Sequence, residues 1–239
     1  MKLYYILAFG TLLCSQLCSS ASAAMASEEP YNSGIVIRWK DCKQRIDGFG
    51  IAQAGWAKEL FAFKNREQVM DKMFGKDGLR LNILRGEIFP HYWENETDKD
   101  FNLNDDIHIE LSDSDFINKS DDLLRRGQLW LTLKAKNKYH ISKLVFSTWS
   151  APAWMKSNGK VSNGRLKTEC YTDFANYLAA FYNAYKSKGI APYAISPSNE
   201  PGYAAPWNSS LWTADEMGKF ITSYLGPTFR KENIPAKII

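Results

Sequence analysis

Short apolar segments alternate with longer amphipathic segments along most of the chain. The apolar segments predict β-strands at residues 35–39, 45–50, 79–85, 144–149, 193–197 and 236–239. The amphipathic segments predict helices at residues 65–75, 116–138, 171–188 and 213–225. Strands that alternate with helices are expected of consecutive βα units, so we predict an α/β fold with a parallel sheet.

Residues at the helix ends support these boundaries. Asn65 is suited to cap the start of one helix and Gly75 to end it, while Thr213 is suited to cap another and Gly189 follows the most amphipathic one. The 239 residues therefore hold about four βα units and the strand of a fifth. Since a closed eight-stranded barrel typically needs about 250 residues, we expect either half of such a barrel or a part of a longer polypeptide.

The N-terminal residues have the pattern of a targeting segment. Lys2 precedes an apolar run at residues 3–13 that is too short to span a bilayer, and the small residues at 21–23 form a cleavage site. We therefore predict a signal peptide at residues 1–23 and a mature chain that is secreted, extracellular or periplasmic.

Two features bear on covalent modification of an exported chain. Cys14 and Cys18 lie within the predicted signal peptide, so Cys42 and Cys170 remain. These two could pair, or each could be a separate buried thiol. Three glycosylation sequons would be surface sites in a eukaryotic source, and they begin at Asn95, Asn118 and Asn208.

Charge, hydropathy and histidine spacing argue against three classes of function. The net charge of +4 is spread thinly, and the one dense basic cluster is typical of a solvated helix end rather than a nucleic-acid site: Lys134, Lys136 and Lys138. No second apolar run is long enough for a membrane span. The histidines show no metal-ligand spacing with one another or with acidic residues, so we predict neither a metal centre nor a cofactor: His91, His108 and His140.

One short segment carries candidate chemistry. The predicted strand at 193–197 runs almost directly into Asn199, Glu200 and Pro201. The carboxyl ends of barrel strands form the active-site face, so a carboxylate there is suited to acid/base catalysis. The alternative is that Glu200 is only a solvated residue at a strand end.

Four motifs in order carry a resemblance to a known family. They are residues 44–53, 81–85, 147–159 and 196–201. On these motifs the chain resembles glycoside hydrolase family 30, which includes glucosylceramidases, β-1,4-xylanases, β-1,6-glucanases and β-1,6-galactanases. The resemblance implies a (β/α)8 TIM barrel with an attached β-sandwich, here truncated to about the first half of the barrel. Residues 44–239 would be the partial barrel ending near strand five, and residues 31–43 the N-terminal strand of the sandwich.

The resemblance also implies a mechanism and four site residues. Retaining hydrolysis uses one carboxyl group that protonates the leaving oxygen and a second, about 5 Å away, that attacks the anomeric carbon. Glu200 matches the acid/base of the family, and Asn199 matches the residue that hydrogen-bonds the sugar 2-hydroxyl. Arg85 matches a strand-two arginine close to the nucleophile, and Trp149 matches a pocket tryptophan at the end of strand three.

Four further residues are weaker candidates for substrate binding. Asp47 could instead cap the turn into Gly48, and Trp154 could instead pack its own loop. Tyr203 and Trp207, just past Glu200, could line an outer sugar subsite or shield the barrel mouth.

The sequence departs from the family at the nucleophile. Family members take it from a glutamate near the end of strand seven, whereas only Glu216 and Glu232 follow Glu200 here, and neither fits an inward position at a strand end. We therefore expect no hydrolase activity from this chain by itself. The predicted function is a secreted endo-β-glycanase of xylanase, β-1,6-glucanase or β-1,6-galactanase type that acts on β-linked polysaccharide. The alternative is a glycan-binding protein that has lost catalysis.

Overall fold

The computed structural model describes residues 38–53, 56–90 and 127–239. The chain divides into one unit at Met1–Ile46 and a second at Asp47–Ile239. In the described part of the first unit, the Asp41 N–H donates to the Arg38 carbonyl oxygen at 3.0 Å and closes a turn. Residue 39 of the strand predicted at 35–39 lies in this turn. Residues 35–37 and the predicted signal peptide lie outside the described residues, so the sandwich strand stays a prediction.

The second unit contains a sheet of five parallel strands, paired in the order in which they occur in the chain. Consecutive parallel strands joined by helices are the arrangement of a (β/α)8 barrel read from its first strand. The predicted α/β fold, a barrel represented by about its first half, is therefore confirmed. The strands are β1 Gly50–Ala52, β2 Ile83–Ile88, β3 Lys143–Thr148, β4 Ala194–Ser196 and β5 Lys237–Ile238.

The helices of this unit are α1 Ala57–Ala62, α2 Arg66–Phe74, α3 Gly127–Tyr139, α4 Tyr171–Ser187, α5 Ala214–Phe220 and α6 Gly226–Lys231. A π-helical segment, Ile221–Leu225, joins α5 to α6, so the helical run continues beyond its predicted end. The helix predicted at 116–138 is observed from Gly127 onward, and residues 116–126 lie outside the described residues.

The predicted capping residues lie at helix ends in the structure, and one of them, Asn65, does not act as predicted. The Thr213 hydroxyl accepts from the Glu216 N–H and the Glu216 carboxylate accepts from the Thr213 N–H, which forms a capping box. Gly75 follows α2, and Gly189 has a φ of +80° after α4. Asn65 precedes α2 as predicted, but its side chain makes no capping hydrogen bond.

Two strands lie further along the chain than predicted. β1 begins at Gly50 instead of ending there, and β2 replaces the strand predicted at 79–85. Arg80 has a φ of +55°, which is outside the extended region, so β2 starts after it. Gly48 lies before β1, and a Cβ there would be 1.9 Å from Asn82 Oδ1. The glycine therefore permits a close approach ahead of the strand rather than a turn after it.

The sheet has an outer face that packs on the helices and an inner face opposite it. Phe146 of β3 packs on Phe181 of α4, with ring centroids 5.1 Å apart. Gly86 of β2 is in register with Phe146 and faces the same side, because a Cβ there would lie 2.6 Å from Phe146 Cε1. Side chains alternate along a strand, so Arg85 and Glu87 belong to the inner face.

The predicted basic cluster lies on α3 and pairs with α2. Lys134 Nζ lies 2.6 Å from Glu67 Oε1, and Lys138 Nζ lies 2.9 Å from Asp71 Oδ1. These hydrogen bonds lower the pKa of both carboxyl groups. All four side chains are partly exposed, which agrees with the interpretation as a solvated helix end.

Cys42 is exposed whereas Cys170 is buried, and each is a free cysteine. Only Cys170 is thus the buried thiol that one alternative predicted. Asn208 is 7% exposed and pairs with Ser162 in an antiparallel bridge, so its sequon is not the surface site that was predicted. Asn95 and Asn118 lie outside the described residues.

Two absences hold for the part of the chain that the structure describes. No helix there is long and apolar enough to cross a bilayer. No group of three or more His, Cys, Asp or Glu side chains there is placed to bind a metal ion. His91 and His108 lie outside these residues, and His140 precedes β3.

Candidate active site

The carboxyl ends of β3 and β4 lie side by side. Asn199 comes three residues after β4, and its N–H donates to the carbonyl oxygen of Thr148, the last residue of β3, at 2.7 Å. Trp149 follows Thr148 directly and is half-buried. The backbone thus brings the predicted pocket tryptophan next to the predicted sugar-binding asparagine.

A side-chain hydrogen bond links β2 to Asn199. Arg85 Nη2 donates to Asn199 Oδ1 at 2.7 Å, and the bond is partly buried. A guanidinium is only a donor, so the Asn199 atom that it meets must be the oxygen. The Nδ2 of Asn199 is therefore the atom that remains to donate a hydrogen bond to a ligand.

Glu200 is exposed and has an unusual backbone conformation. Its φ is +43°, in the left-handed region that non-glycine residues seldom occupy. Pro201 follows it, which restricts the backbone further, and the Glu200 carbonyl oxygen accepts from the Tyr203 N–H at 2.9 Å. Such a conformation costs about 1–3 kcal/mol, and conformations of this kind cluster at functional sites. The Glu200 side chain is thus exposed to solvent beyond the carboxyl end of β4.

Two exposed aromatic rings stand beyond Glu200. Tyr203 is 51% exposed and Trp207 is 41% exposed. Their ring centroids lie 6.2 Å apart in an edge-on arrangement with an interplanar angle of 64°. Exposed aromatic faces suit the C–H surfaces of a pyranose, so the pair is available to bind a sugar.

Trp154 packs against the hydrophobic core and is only partly exposed. It lies in the short 3-10 helix Ala153–Met155, is half-buried and packs against the hydrophobic core. Its carbonyl oxygen accepts from Lys167 Nζ at 2.9 Å. These contacts favour the alternative that Trp154 packs its loop.

Asp47 lies at the opposite end of the strands from Glu200. Its carboxylate is 3.3 Å from Nζ of Lys143, the first residue of β3, and its carbonyl oxygen accepts from the same Nζ at 2.8 Å. The Asp47 side chain is 73% exposed. The structure therefore does not bring Asp47 to the other predicted site residues, because it precedes β1 instead of following it.

The family model of the glycosyl hydrolase family 30 TIM-barrel domain matches residues 46–238. That range includes all five strands and every residue placed above. The chain belongs to glycosyl hydrolase family 30. The predicted resemblance is thus confirmed at the level of the family.

Sequence and structural similarity to individual proteins agrees with this membership. Putative glucosylceramidase 3 of Caenorhabditis elegans is 29% identical over 224 residues, which cover 88% of this chain and 41% of that protein. Glucuronoxylanase XynC of Bacillus subtilis is 27% identical, over 90% of this chain and 43% of that protein. The solved structure of SrfJ from Salmonella typhimurium superposes with a TM-score of 0.67 at 25% identity, covering 82% of this chain and 43% of that one. This family 30 chain spans about two-fifths of the length of these proteins.

Glu87 is a carboxylate of the inner face that the sequence analysis missed. It lies two residues after Arg85 on β2 and is 5% exposed. Gln128 of α3 fixes its backbone, because Gln128 Oε1 accepts from the Glu87 N–H at 2.7 Å and Gln128 Nε2 donates to the Glu87 carbonyl oxygen at 2.9 Å. The alternation of two charged residues around Gly86 is the signal that could have identified it.

Lys156 is the other residue that the sequence analysis missed. It is completely buried and makes three hydrogen bonds, all to uncharged oxygens. Burial lowers its pKa to about 8. No local pattern predicts this, since the acceptors come from residues up to 53 positions away in the chain.

The two glutamates that follow Glu200 have other positions. Glu216 closes the capping box of α5 and lies 2.6 Å from Arg165 Nη1. The hydrogen bond from the Thr213 backbone, helped by Arg165, lowers the pKa of Glu216. Glu232 follows α6 directly. Neither lies at the carboxyl end of a described strand. This agrees with the sequence analysis, which expected neither of them there.

Proposed function

We propose that this family 30 chain carries the acid/base half of a retaining β-glycosidase, with Glu200 as the acid/base. The observation that supports this most is the exposed Glu200 carboxylate beside an asparagine whose amide orientation is fixed by Arg85. In the first step Glu200 would donate its proton to the glycosidic oxygen as the bond to the anomeric carbon breaks. In the second step the Glu200 carboxylate would take a proton from water as water attacks the glycosyl-enzyme.

Asn199 and Trp149 would position the sugar for this reaction. With its Oδ1 occupied by Arg85, Asn199 would donate from Nδ2 to the oxygen of the sugar 2-hydroxyl. A hydrogen bond to that hydroxyl strengthens in the transition state and so accelerates the reaction. The indole of Trp149, at the end of β3, would lie against the ring.

The nucleophile would come from a later strand of the barrel. The place of Glu216 in the capping box of α5 and of Glu232 directly after α6 argues against either in that role. Glu87 lies on β2, whereas the family resemblance implies a glutamate on strand seven. We therefore propose that turnover needs βα units beyond β5.

The proposed substrate is a β-linked polysaccharide outside the cell, which the enzyme would cleave at internal bonds of the glycan. The exposed pair Tyr203 and Trp207 supports this, because it offers a second sugar-binding surface beyond the site of cleavage. Xylan, β-1,6-glucan and β-1,6-galactan are the candidates. A glucuronoxylanase and a putative glucosylceramidase are similar to the chain to nearly the same degree, so similarity does not select among them. Export rests on the pattern of residues 1–23.

Expression of residues 24–239 alone and of a polypeptide continued through the remaining barrel strands tests this proposal. We expect no turnover of the three glycans or of an aryl β-glucoside by residues 24–239, and turnover of at least one by the longer polypeptide. Turnover by residues 24–239 alone would contradict the assignment of the nucleophile. Binding without turnover in the longer polypeptide would favour the glycan-binding alternative, for which the exposed aromatic pair is the supporting observation.

A further inference from the structure

A buried ammonium joins the two loops that carry the candidate site. We define the β3 loop as residues 149–170 and the β4 loop as residues 197–213. Lys156 of the β3 loop donates to Ser150 Oγ at 3.1 Å and to the Asn163 carbonyl oxygen at 2.5 Å, both in the same loop. It also donates to the Ser209 carbonyl oxygen at 2.7 Å, across to the β4 loop. All three N–H groups of the ammonium are thus used.

The same point of contact holds further hydrogen bonds between the loops. The Ser209 N–H donates to the Val161 carbonyl oxygen at 3.0 Å, and the Leu211 N–H donates to the Gly164 carbonyl oxygen at 2.9 Å. The Ser209 hydroxyl accepts from the Asn163 N–H at 2.9 Å. Lys156 therefore lies at the centre of a set of bonds that join segments about fifty residues apart in sequence.

The β4 loop carries the two exposed aromatic residues. Ser209 Oγ lies 3.1 Å from the carbonyl oxygen of Trp207 and 2.9 Å from that of Ala205. The segment that presents the Trp207 ring is thus bonded to the residue that Lys156 holds. We propose that Lys156 is a positioning residue that fixes the β4 loop, and with it Tyr203 and Trp207, against the β3 loop. The sugar-binding role of the two rings rests on the proposed function, but their placement by Lys156 does not.

A side chain that only packed the space between the two loops would not need the charge that Lys156 carries. Burial of an ammonium without a carboxylate partner is unfavourable, and burial lowers the pKa of Lys156 to about 8. An apolar side chain of similar length would avoid that cost but would leave three oxygens without their donor. Among the described residues, none of the other charged side chains of the two loops and of the start of α5 hydrogen-bonds to Lys156: Lys160, Arg165, Lys167, Glu169, Glu200, Asp215 and Glu216.

Substitution of Lys156 by methionine in the full chain tests the proposal with two readouts. The first is hydrogen exchange of the Ser209 and Leu211 amides, which bond across the loops. The second is the ¹⁹F spectrum of 5-fluorotryptophan-labelled protein, with the Trp207 signal assigned by Trp207→Phe. Lys167→Met is the matched control, because Lys167 is a partly buried lysine of the same loop whose Nζ bonds to the carbonyl oxygen of Trp154 within that loop.

We expect Lys156→Met to accelerate exchange of the two cross-loop amides by about tenfold or more, as expected when a hydrogen bond to a charged group is lost. The Trp207 signal should move toward that of free fluorotryptophan, while strand amides keep their exchange rates. Lys167→Met should change neither the cross-loop amides nor the Trp207 signal. An unchanged Trp207 signal in Lys156→Met, or equal acceleration of the strand amides, would overturn the proposal.

A second variant covers the case in which Lys156→Met does not fold. Ser150→Ala removes one of the three acceptors and leaves the lysine in place. It should accelerate the same cross-loop amides by a smaller factor, and unchanged exchange at these amides would overturn the proposal. Neither readout uses a glycan, so failure here is distinguishable from failure of the proposed glycosidase function.

Discussion

Arg85 and Asn199 are 114 positions apart in the chain, and a hydrogen bond of 2.7 Å joins their side chains across β2 and β4. The sequence analysis placed Arg85 near an unseen nucleophile. The structure shows a further contact, because Arg85 donates to the side chain of Asn199, the residue beside Glu200. The proximity of Arg85 to the nucleophile stays a prediction. This contact can be tested on the 239-residue chain without a substrate.

Arg85→Met and Asn199→Ala should each lower the free energy of unfolding by about 1–3 kcal/mol, since the bond involves a charged donor and is partly buried. Their effects should be less than additive by about 1 kcal/mol, because either change alone removes the bond. Urea unfolding of the two single variants and the double variant measures this. Strictly additive losses would show that the bond does not stabilise the chain.

The positive φ of Glu200 should make the chain less stable than it would be with a glycine at this position. Glu200→Gly and Glu200→Gln both remove the carboxylate, but only glycine tolerates a φ of +43° without strain. We expect Glu200→Gly to be more stable than Glu200→Gln by about 1 kcal/mol. Thermal unfolding of both variants checks this, and equal stability would indicate that the conformation stores no strain.

Gly86 is required for the packing of β2 against α3 and β3. A Cβ there would lie 2.6 Å from Phe146 Cε1 and 2.7 Å from Gln128 Oε1, so Gly86→Ala should cost about 1–3 kcal/mol of unfolding free energy. Gly218→Ala is the matched control, because it lies in α5 with no atom near the added Cβ and should stabilise by about 0.5–1 kcal/mol. If the two substitutions have the same effect in urea unfolding, the close packing at Gly86 is contradicted.

Lys156 should make stability rise with pH. Burial lowers its pKa to about 8 in the folded chain, whereas an unfolded lysine titrates at about 10.4. Between these values the unfolded chain binds more protons, so the free energy of unfolding increases with pH, by up to about 1.4 kcal/mol per pH unit. Below pH 8 the lysine is charged in both states and the dependence disappears.

Lys156→Met removes this titration. Between pH 8 and about 10, the free energy of unfolding of the unchanged chain should therefore rise relative to that of Lys156→Met. Urea unfolding at pH 7, 8, 9 and 10 gives the two curves. Parallel curves would contradict a lowered pKa for Lys156.

The regular elements were predictable where a local pattern decides them. The apolar stripe of α4 and Gly189 after it gave the helix to within a residue, and the apolar run of β3 gave that strand. β2 was displaced because Arg80 has a positive φ inside the segment predicted to be extended, which strand propensity does not reveal. β1 was displaced because Gly48 permits a close approach to Asn82 ahead of the strand instead of a turn after it. Asp47 was misplaced for a related reason, since a shift of β1 along the chain moves the preceding residue to the other end of the sheet.

The residues of the candidate site also divide into those that a local pattern predicts and those that depend on long-range packing. Trp149 follows β3 directly, and Asn199 and Glu200 lie three and four residues after β4, so the topology brings these residues together. Lys156 and Glu87 depend on long-range packing instead. Lys156 lies in a loop whose acceptors are mainly backbone oxygens, which any sequence supplies, and Glu87 becomes an inner-face residue only once β2 is known to continue through Gly86.

The role of Glu200 is the central claim, and the dependence of turnover on the leaving group tests it most directly. In the polypeptide continued through the remaining strands, Glu200→Gln should reduce kcat/KM on aryl β-glycosides with poor leaving groups by about 10²-fold or more, because their departure needs protonation. Loss on activated substrates such as dinitrophenyl glycosides should be much smaller for the glycosylation step. An equal loss across the series, or no loss, would contradict the assignment of Glu200 as the acid/base.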